Sequence, residues 1–302
     1  MGGILRAIFE PGFFSSGPVH VALLVGGVVA VVCGIVGMFT VMRGQSYAAH
    51  GLGDISATGG AGSFLLGISP IWGFAGTSVV AAGIMDLIGV QRVRGRDLAT
   101  GIVRGAGLGL AALFLYWDTT RTSTTGAPVT ILFGSLFTIN SSLIWTIALF
   151  SVAAAGLIAV LYRPLLLSSV SADLAYVRGI SVRVVGVLAL AALALAVSLS
   201  AMTIGAILST ALLVGPAATA LRLTSRPGPM MAWSALISLA ATWLGVLLAY
   251  DSYYWPALPV DHDLGRQGWP VSFFVVVLIL IFFLLARARR DQRGKGTCSA
   301  PS

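Results

Sequence analysis

A chain of 302 residues that is 57% hydrophobic and only 9% charged does not have enough polar surface for a water-soluble fold of this size. The mean hydropathy of +0.96 excludes a soluble globular domain and indicates a protein that crosses a membrane several times. The formal net charge of +8 is therefore attributed to membrane topology, and it gives no support to nucleic-acid binding.

About nine largely apolar runs follow one another along the chain. A helix rises about 1.5 Å per residue, so about 20 residues cross the roughly 30 Å of hydrocarbon in a bilayer. The run 184–199 does not alternate between apolar and polar residues as a membrane-spanning strand does. The sequence therefore predicts an all-α fold, a polytopic transmembrane helical bundle. The predicted helices cover residues 18–42, 46–66, 70–90, 98–116, 142–162, 184–200, 203–222, 229–250 and 270–286.

One transmembrane domain, residues 18–290, is predicted, with a short segment on either side. Residues 1–17 are interrupted at Pro11 and Gly12 before an apolar core can form, which favours an interfacial amphipathic segment over a cleaved signal peptide. Residues 291–302 are charged and contain glycine, so a disordered basic tail is expected. Cys33 lies inside the first helix and Cys298 in the tail, so no disulfide is expected.

Basic residues lie mostly in loops on one side of the predicted membrane. Because short cytoplasmic loops carry an excess of Arg and Lys, the distribution predicts a plasma-membrane protein with its N-terminus outside and its C-terminus in the cytoplasm. Arg6, Arg121 and Arg266 would face outward, and Arg104 falls within a helix. Anionic membrane lipid is the partner that this charge favours. The inward basic residues are Arg43, Arg92, Arg94, Arg96, Arg163, Arg178, Arg183, Arg222, Arg226, Arg287, Arg289, Arg290, Arg293 and Lys295.

The second predicted helix contains ionisable residues in the stretch SYAAHGLGDISATGG, residues 46–60. His50 and Asp54 are spaced i, i+4, so their side chains share one helix face, and Ser46 and Thr58 continue the row. An aspartate at the middle of a bilayer costs roughly 2.5 to 3.5 kcal/mol on the mildest insertion scale. Two interpretations remain open: the residues line a path for a cation, or they form a His–Asp pair that ties two helices together.

A cation path of this composition would suit a divalent transition metal. Imidazole nitrogen and carboxylate oxygen together bind Zn(II), Mn(II) and Fe(II), whereas a soft Cu(I) site needs thiols. A path requires weak sites that release the ion, so no permanently bound cofactor is expected. The chain is not expected to be an enzyme. It has no glycine loop that ends in Gly-Lys-Ser/Thr, and its only lysine, Lys295, lies in the tail.

Three connecting segments contain further candidate residues or breaks. Residues 119–140 include a short apolar piece, interrupted at Gly134, that is expected to dip partly into the membrane. A later inward connection contains Ser171, which can cap a helix start, and Gly179, which suits a helix stop, so a short cytoplasmic helix is predicted. The last outward loop contains possible cation contacts at an outer mouth, although acids in a loop are more often simply solvated: Asp251, Asp261, His262 and Asp263.

Four stretches of the chain resemble the membrane permease subunits of ABC importers that take up zinc, manganese or iron(II). They are GIVGMFTVMRGQSYAAHGLGDISATGGAGSFLLGISPIWG (34–73), ILFGSLFTIN (131–140), SADLAYVRGISVRVVGVL (171–188) and MTIGAILSTALLVGPAATA (202–220). In that family the second helix usually carries Asp-Ala-Leu-Ser-His, and the matching positions here read HGLGD. The two ligand types are exchanged, but one nitrogen and one carboxylate stay on the same face. The resemblance therefore implies a metal role for His50 and Asp54.

The resemblance also implies partners. Family members work as a pair of permeases, here a homodimer, with ATP-binding ABC subunits and an extracytoplasmic metal-binding protein. Residues 171–180 would form the cytoplasmic coupling helix that docks on the ATPase, and Ser171, Asp173 and Gly179 would be its coupling residues. The implied function is the permease subunit of an ATP-driven importer of Zn, Mn or Fe(II). Two alternatives stay open: a secondary cation transporter that works without an ATPase, and an ABC permease for siderophores or cobalamin.

Overall fold

The structure is a computed structural model that describes residues 13, 16–89, 96–121, 126–134, 136–253 and 268–297. Within these residues the secondary structure is helical and no strand is present, in agreement with the predicted all-α fold. The helices are α1 Gly17–Met42, α2 Ser46–Leu66, α3 Pro70–Ile88, α4 Arg96–Arg121, α5 Ala127–Phe133, α6 Ile144–Val170, α7 Ala172–Val177, α8 Val182–Ile204, α9 Ser209–Leu223, α10 Pro227–Ser252 and α11 Val271–Thr297, with 3₁₀ turns at Leu136–Thr138 and Ser141–Leu143.

Nine of the described helices are long, and α5 and α7 have only seven and six residues. In the described part of the chain, seven helices are long and apolar enough to cross a membrane by length and composition. The protein is therefore a multi-pass membrane protein. The two long helices outside this set are α2, which is rich in polar and small residues, and α9, which has only 15 residues. They are also the helices that contribute the candidate site described below.

Helix α2 is enclosed by other helices, which keeps its polar residues from the expected lipid. Residues 51–61 are all buried, and α3, α4, α8 and α9 pack around the helix. The close approach depends on glycine, because a Cβ at Gly59 would overlap the carbonyl oxygen of Gly73 in α3. Small residues at such crossings let helix backbones approach within van der Waals contact. The glycine-rich sequence of α2 thus permits a polar helix to sit inside an apolar bundle.

Helices α2 and α4 run parallel to each other. Gly51 faces Thr100, and the Thr58 hydroxyl donates a hydrogen bond to the carbonyl oxygen of Gly107 at 2.7 Å. Positions in contact therefore advance together along the two helices, as expected for helices separated by one intervening span. This parallel register is what brings residue 54 of α2 to the level of residue 104 of α4.

Two irregular segments meet within the bundle, where α5 and α8 end. Gly134 follows α5 with φ +84°, and Gly205 follows α8 with φ +104°, conformations that residues with a Cβ rarely adopt. The amide of Ala206 donates to the carbonyl oxygen of Ile131 at 3.0 Å, so one segment satisfies the backbone of the other. The break expected at Gly134 is present. Helix α9 was predicted to begin at residue 203, but it begins at Ser209, because the chain turns at Gly205.

Basic side chains collect at one end of the bundle. Arg43, in the α1–α2 turn, donates to the hydroxyl of Ser168 near the end of α6 at 3.3 Å. The guanidinium of Arg222, near the end of α9, lies 4.6 Å from the ring centroid of Phe283. This arrangement fits the predicted topology, and the orientation of the termini stays a prediction. The division into three segments is likewise a prediction, although α11 continues as helix through residues 291–297 of the expected disordered tail.

The contact between α2 and α3 leads to a stability prediction. Gly59→Ala should lower the free energy of unfolding by about 1–3 kcal/mol, because an added methyl group overlaps the facing backbone and forces the helices apart. Thermal unfolding of the purified chain in detergent measures the effect. Gly83→Ala in α3 is the matched control, because nothing lies within 4 Å of the position that its Cβ would occupy. Equal unfolding temperatures for the two variants would contradict the prediction.

Candidate functional site

The polar row of α2 faces two neighbouring helices. The helix starts after a tight turn at Gly44, whose φ of 63° lets the chain reverse between α1 and α2. Four-residue spacing then places His50, Asp54 and Thr58 along one side of α2, as the sequence predicts. His50 contacts α9, whereas Asp54 and Thr58 contact α4. The row therefore lies at the junction of α2, α4 and α9.

His50 is held by a hydroxyl from α9. Its Nδ1 atom lies 3.0 Å from Oγ1 of Thr210, in the first turn of that helix. Hydrogen bonds of this kind to one ring nitrogen orient metal-binding histidines, and here the other ring nitrogen, Nε2, faces Asp54. The His50 side chain is 34% exposed, so the ring is accessible as well as oriented.

Asp54 forms an ion pair with an arginine of α4. Nε of Arg104 lies 2.5 Å from Oδ2 of Asp54, and the Asp54 side chain is only 10% exposed. The same oxygen lies 4.0 Å from Nε2 of His50, which is too long for a hydrogen bond. The close partner of Asp54 is therefore Arg104, and His50 is a more distant neighbour across the helix face.

The spacing of the His50 and Asp54 side chains is compatible with a shared metal ion after a small adjustment. An ion bound at about 2.0–2.2 Å by both atoms, with tetrahedral geometry, would separate nitrogen and oxygen by about 3.4 Å. The 4.0 Å separation would have to close by roughly 0.6 Å, which a side-chain rotation can supply. No group of three or more His, Cys, Asp or Glu side chains occurs in the part of the chain that the structure describes. Within the described residues, fuller coordination would need other oxygen ligands such as hydroxyls, backbone carbonyls or water.

An apolar cavity of about 620 Å³ lies beside this junction, between α2, α3 and α4. Its lining includes Ile55, Thr58 and Phe114 but neither His50 nor Asp54. Hydrocarbon walls do not replace the hydration shell of an ion. The cavity therefore does not suit an ion, although Thr58 of the polar row lies in its lining.

The other predicted site residues lie away from this junction. Asp251 is half-buried near the end of α10, and Asp261, His262 and Asp263 lie outside the described residues. Ser171 precedes α7, and its hydroxyl accepts a hydrogen bond from the amide of Leu174 at 3.3 Å. Asp173 is exposed in the first turn of α7, and Gly179 follows the helix with φ +72°. The short helix expected here is present, with the cap and the stop at the expected positions.

Comparison with known proteins places the chain in a family. The model of the ABC 3 transport family matches residues 18–260. The chain belongs to this family. Its sequence is 31% identical over 271 residues to the manganese import system permease protein ScaB of Streptococcus pneumoniae, covering 90% of this chain and 92% of ScaB. It is 26% identical over 242 residues to the high-affinity zinc uptake system membrane protein ZnuB of Haemophilus influenzae, covering 79% of this chain and 91% of ZnuB.

A solved structure is also similar to the chain. The chain resembles PsaBC from Streptococcus pneumoniae, solved in complex with Fab, with a TM-score of 0.76 and 26% sequence identity. The match covers 94% of this chain and 95% of the solved chain. The similarity thus extends over nearly the whole bundle, including the helices that contribute the polar row.

Two residues of the junction were not predicted from the sequence of this ABC 3 transport family member. The sequence does indicate that Arg104 needs a counter-charge, because it lies inside an apolar span. It does not indicate which residue supplies that charge, because this depends on the register of α2 against α4. Thr210 gave no signal, because it is a single hydroxyl 160 residues from His50. Long-range packing, and not local spacing, decides both contacts.

The ion pair leads to a prediction about folding. Asp54→Asn should lower the free energy of unfolding by about 1–3 kcal/mol, because the Arg104 guanidinium loses its charged partner among apolar helices. His50→Gln should have a smaller effect, because a glutamine can still hydrogen-bond Thr210 and leaves no charge unpaired. Thermal unfolding in detergent compares the two variants. An equal or larger loss of stability for His50→Gln would show that the ion pair is not the main polar contact of α2.

Proposed function

We propose that this chain is the membrane permease subunit of an ATP-driven importer of a divalent transition metal. The observation that supports this function best is the pairing of an oriented imidazole and a carboxylate, 4.0 Å apart, on a helix enclosed by apolar neighbours. Membership of the ABC 3 transport family and the metal-transporting names of its relatives support the same function. His50 and Asp54 would pass the ion along the path.

Manganese and zinc are the proposed cargo. Both ions accept imidazole nitrogen and carboxylate oxygen as ligands. The names of the relatives refer to manganese and to zinc, whereas iron(II) is supported only by the same ligand chemistry. Two side-chain ligands from one chain would bind the ion weakly, and weak binding suits a path from which the ion must leave.

Helix α7 is the proposed contact with the ATP-binding subunit. Its outward side chains include the apolar residues Leu174, Tyr176 and Val177, all of them exposed in the isolated chain. Exposed apolar groups on a short, well-capped helix are typical of a surface that a partner covers. In this arrangement the basic end of the bundle lies in the cytoplasm of a plasma-membrane protein, with the N-terminus outside. Closure of the ATPase would move α7 and alternate access to the path.

Two further partners belong to the proposal. A second permease copy would complete a homodimer, and an extracytoplasmic protein would deliver the metal to the outer side. The proposed cation contacts at that outer mouth are Asp251, Asp261, His262 and Asp263. A secondary transporter that needs no ATPase is the less favoured alternative, because the chain belongs to an ABC transport family and carries the capped helix α7.

The metal path can be tested by uptake. His50→Ala should reduce accumulation of Mn²⁺ or Zn²⁺ about tenfold or more in a strain without other uptake routes, because the path loses its nitrogen ligand. Uptake is normalised to the amount of inserted protein. His20→Ala, at an exposed histidine of α1, is the matched control and should transport normally. Undiminished uptake by the His50 variant, at normal insertion, would falsify the proposed path.

The coupling contact can be tested by co-purification. Asp173→Arg and Gly179→Val should both reduce recovery of the ATP-binding subunit, the first by reversing an exposed charge and the second by straining a backbone with φ +72°. Metal delivery to the outer side should be unchanged. Ser181→Ala is the control, because this exposed residue makes no side-chain cap hydrogen bond. Full recovery of the ATPase with both variants would rule out α7 as the docking element.

A further inference from the structure

We propose that Arg104 is a tethered competitor of the transported metal ion: its guanidinium and the ion bind the same Asp54 oxygen in turn, so that Arg104 sets the affinity of the path. This inference rests on the proposed metal-transport function and adds an affinity-determining residue to it. It is carried by the identity of the shared atom, the position of Arg104 in the bundle and the freedom of its side chain.

The position of Arg104 requires an explanation. It lies in the membrane-crossing part of α4, residues 100–120, most of which is not buried by the rest of the chain. A guanidinium keeps its proton under all physiological conditions, so it cannot avoid its charge by deprotonation as a buried lysine can. Arginines at such positions face a polar path or a counter-ion. Arg104 has the counter-ion, and that counter-ion is the predicted metal ligand.

The geometry makes the guanidinium and the metal compete for one atom. Oδ2 of Asp54 accepts the Nε–H of Arg104 at 2.5 Å and is also the oxygen that lies 4.0 Å from Nε2 of His50. An ion between His50 and Asp54 would use this oxygen, and it would stand within a few ångströms of a fixed positive charge. Two cations that close, in surroundings of low dielectric constant, repel each other strongly. Binding of the ion therefore requires the guanidinium to move away.

The Arg104 side chain can make this movement. It is 32% exposed, in contrast to the 10% exposure of Asp54, so its long stem can rotate without disturbing the packed core. The Tyr47 side chain, one helix turn before His50, lies near the Arg104 guanidinium. Its phenolic oxygen is a polar group on the same helix towards which the guanidinium can move when it leaves Asp54.

A tethered competitor gives the path a useful property. The apparent affinity of a site falls in proportion to the fraction of time for which it is competent to bind. Arg104 would keep the affinity low, and its return to Asp54 would help to expel the ion. The same contact also balances the charge of Asp54 between transport events. A purely structural ion pair, by contrast, would hold α2 against α4, and its guanidinium would stay on Asp54 when the ion binds.

Metal binding by the full chain in lipid nanodiscs distinguishes the two roles. Arg104→Met removes the charge and keeps the length of the stem, so the Kd for Mn²⁺ or Zn²⁺ should fall about tenfold or more, as expected when a charge-assisted hydrogen bond no longer competes. Arg104→Lys keeps a cation and should stay near the wild-type Kd. Arg163→Met, at an exposed arginine of α6, is the matched control and should leave the Kd unchanged. An unchanged or higher Kd for Arg104→Met would overturn the proposal.

A second measurement uses the unmodified protein and does not depend on the folding of a variant. Zn²⁺ added to the chain labelled with ¹⁵N-arginine should shift the Nε–H resonance of Arg104, because its acceptor changes from a carboxylate to a neutral group. The absence of a shift at saturating Zn²⁺ would overturn the inference.

The outcomes separate this inference from the proposed function. If Arg104→Met binds metal as the wild type does while His50→Ala abolishes binding, the competitor role is wrong and the metal path stands. If the wild type and His50→Ala bind Mn²⁺ and Zn²⁺ equally, the metal path is wrong and the competitor role is overturned with it.

Discussion

Enclosure of the charged helix α2 is the constraint on which the rest of the structure depends. A helix that carries a histidine and an aspartate is unstable against hydrocarbon, so the bundle must surround it. Glycines allow the neighbouring helices to pack closely around α2, and the contact of Gly59 with Gly73 brings the backbones of α2 and α3 together. Helices α8 and α9 cover the other sides of α2. Helices such as α6 and α11, which are apolar and largely unburied by the rest of the chain, can then face lipid, and α2 does not have to.

Inside the bundle, the two ionisable residues of α2 have different partners. The nearest partner of Asp54 is not its helix neighbour His50, at 4.0 Å, but Arg104, which the parallel register of α2 and α4 brings to the same level. His50 is left to a neutral hydroxyl of α9. The acid is therefore balanced by an arginine, and the imidazole is oriented by a hydroxyl. In the proposed path, an incoming ion would displace the arginine from the acid.

The sequence predicted the helices well and their long-range contacts poorly. Residues 46–66 were predicted as the second helix and α2 is Ser46–Leu66, because a run long enough to cross a bilayer is a local signal. The start of α9 was misplaced by six residues, since the reversal at Gly205 depends on packing against the segment around Gly134. His50 and Asp54 were identifiable because four-residue spacing fixes a shared face. Their partners Thr210 and Arg104 follow from helix register, which no single segment encodes.

X-ray absorption at the zinc edge, on the Zn²⁺-loaded chain in nanodiscs, tests the central claim most directly. The account predicts a first shell with one imidazole nitrogen and carboxylate oxygen at about 2.0–2.2 Å, and loss of the imidazole scattering in His50→Ala. A shell without imidazole, or one that His50→Ala leaves unchanged, would contradict the claim that the polar row of α2 binds the transported ion.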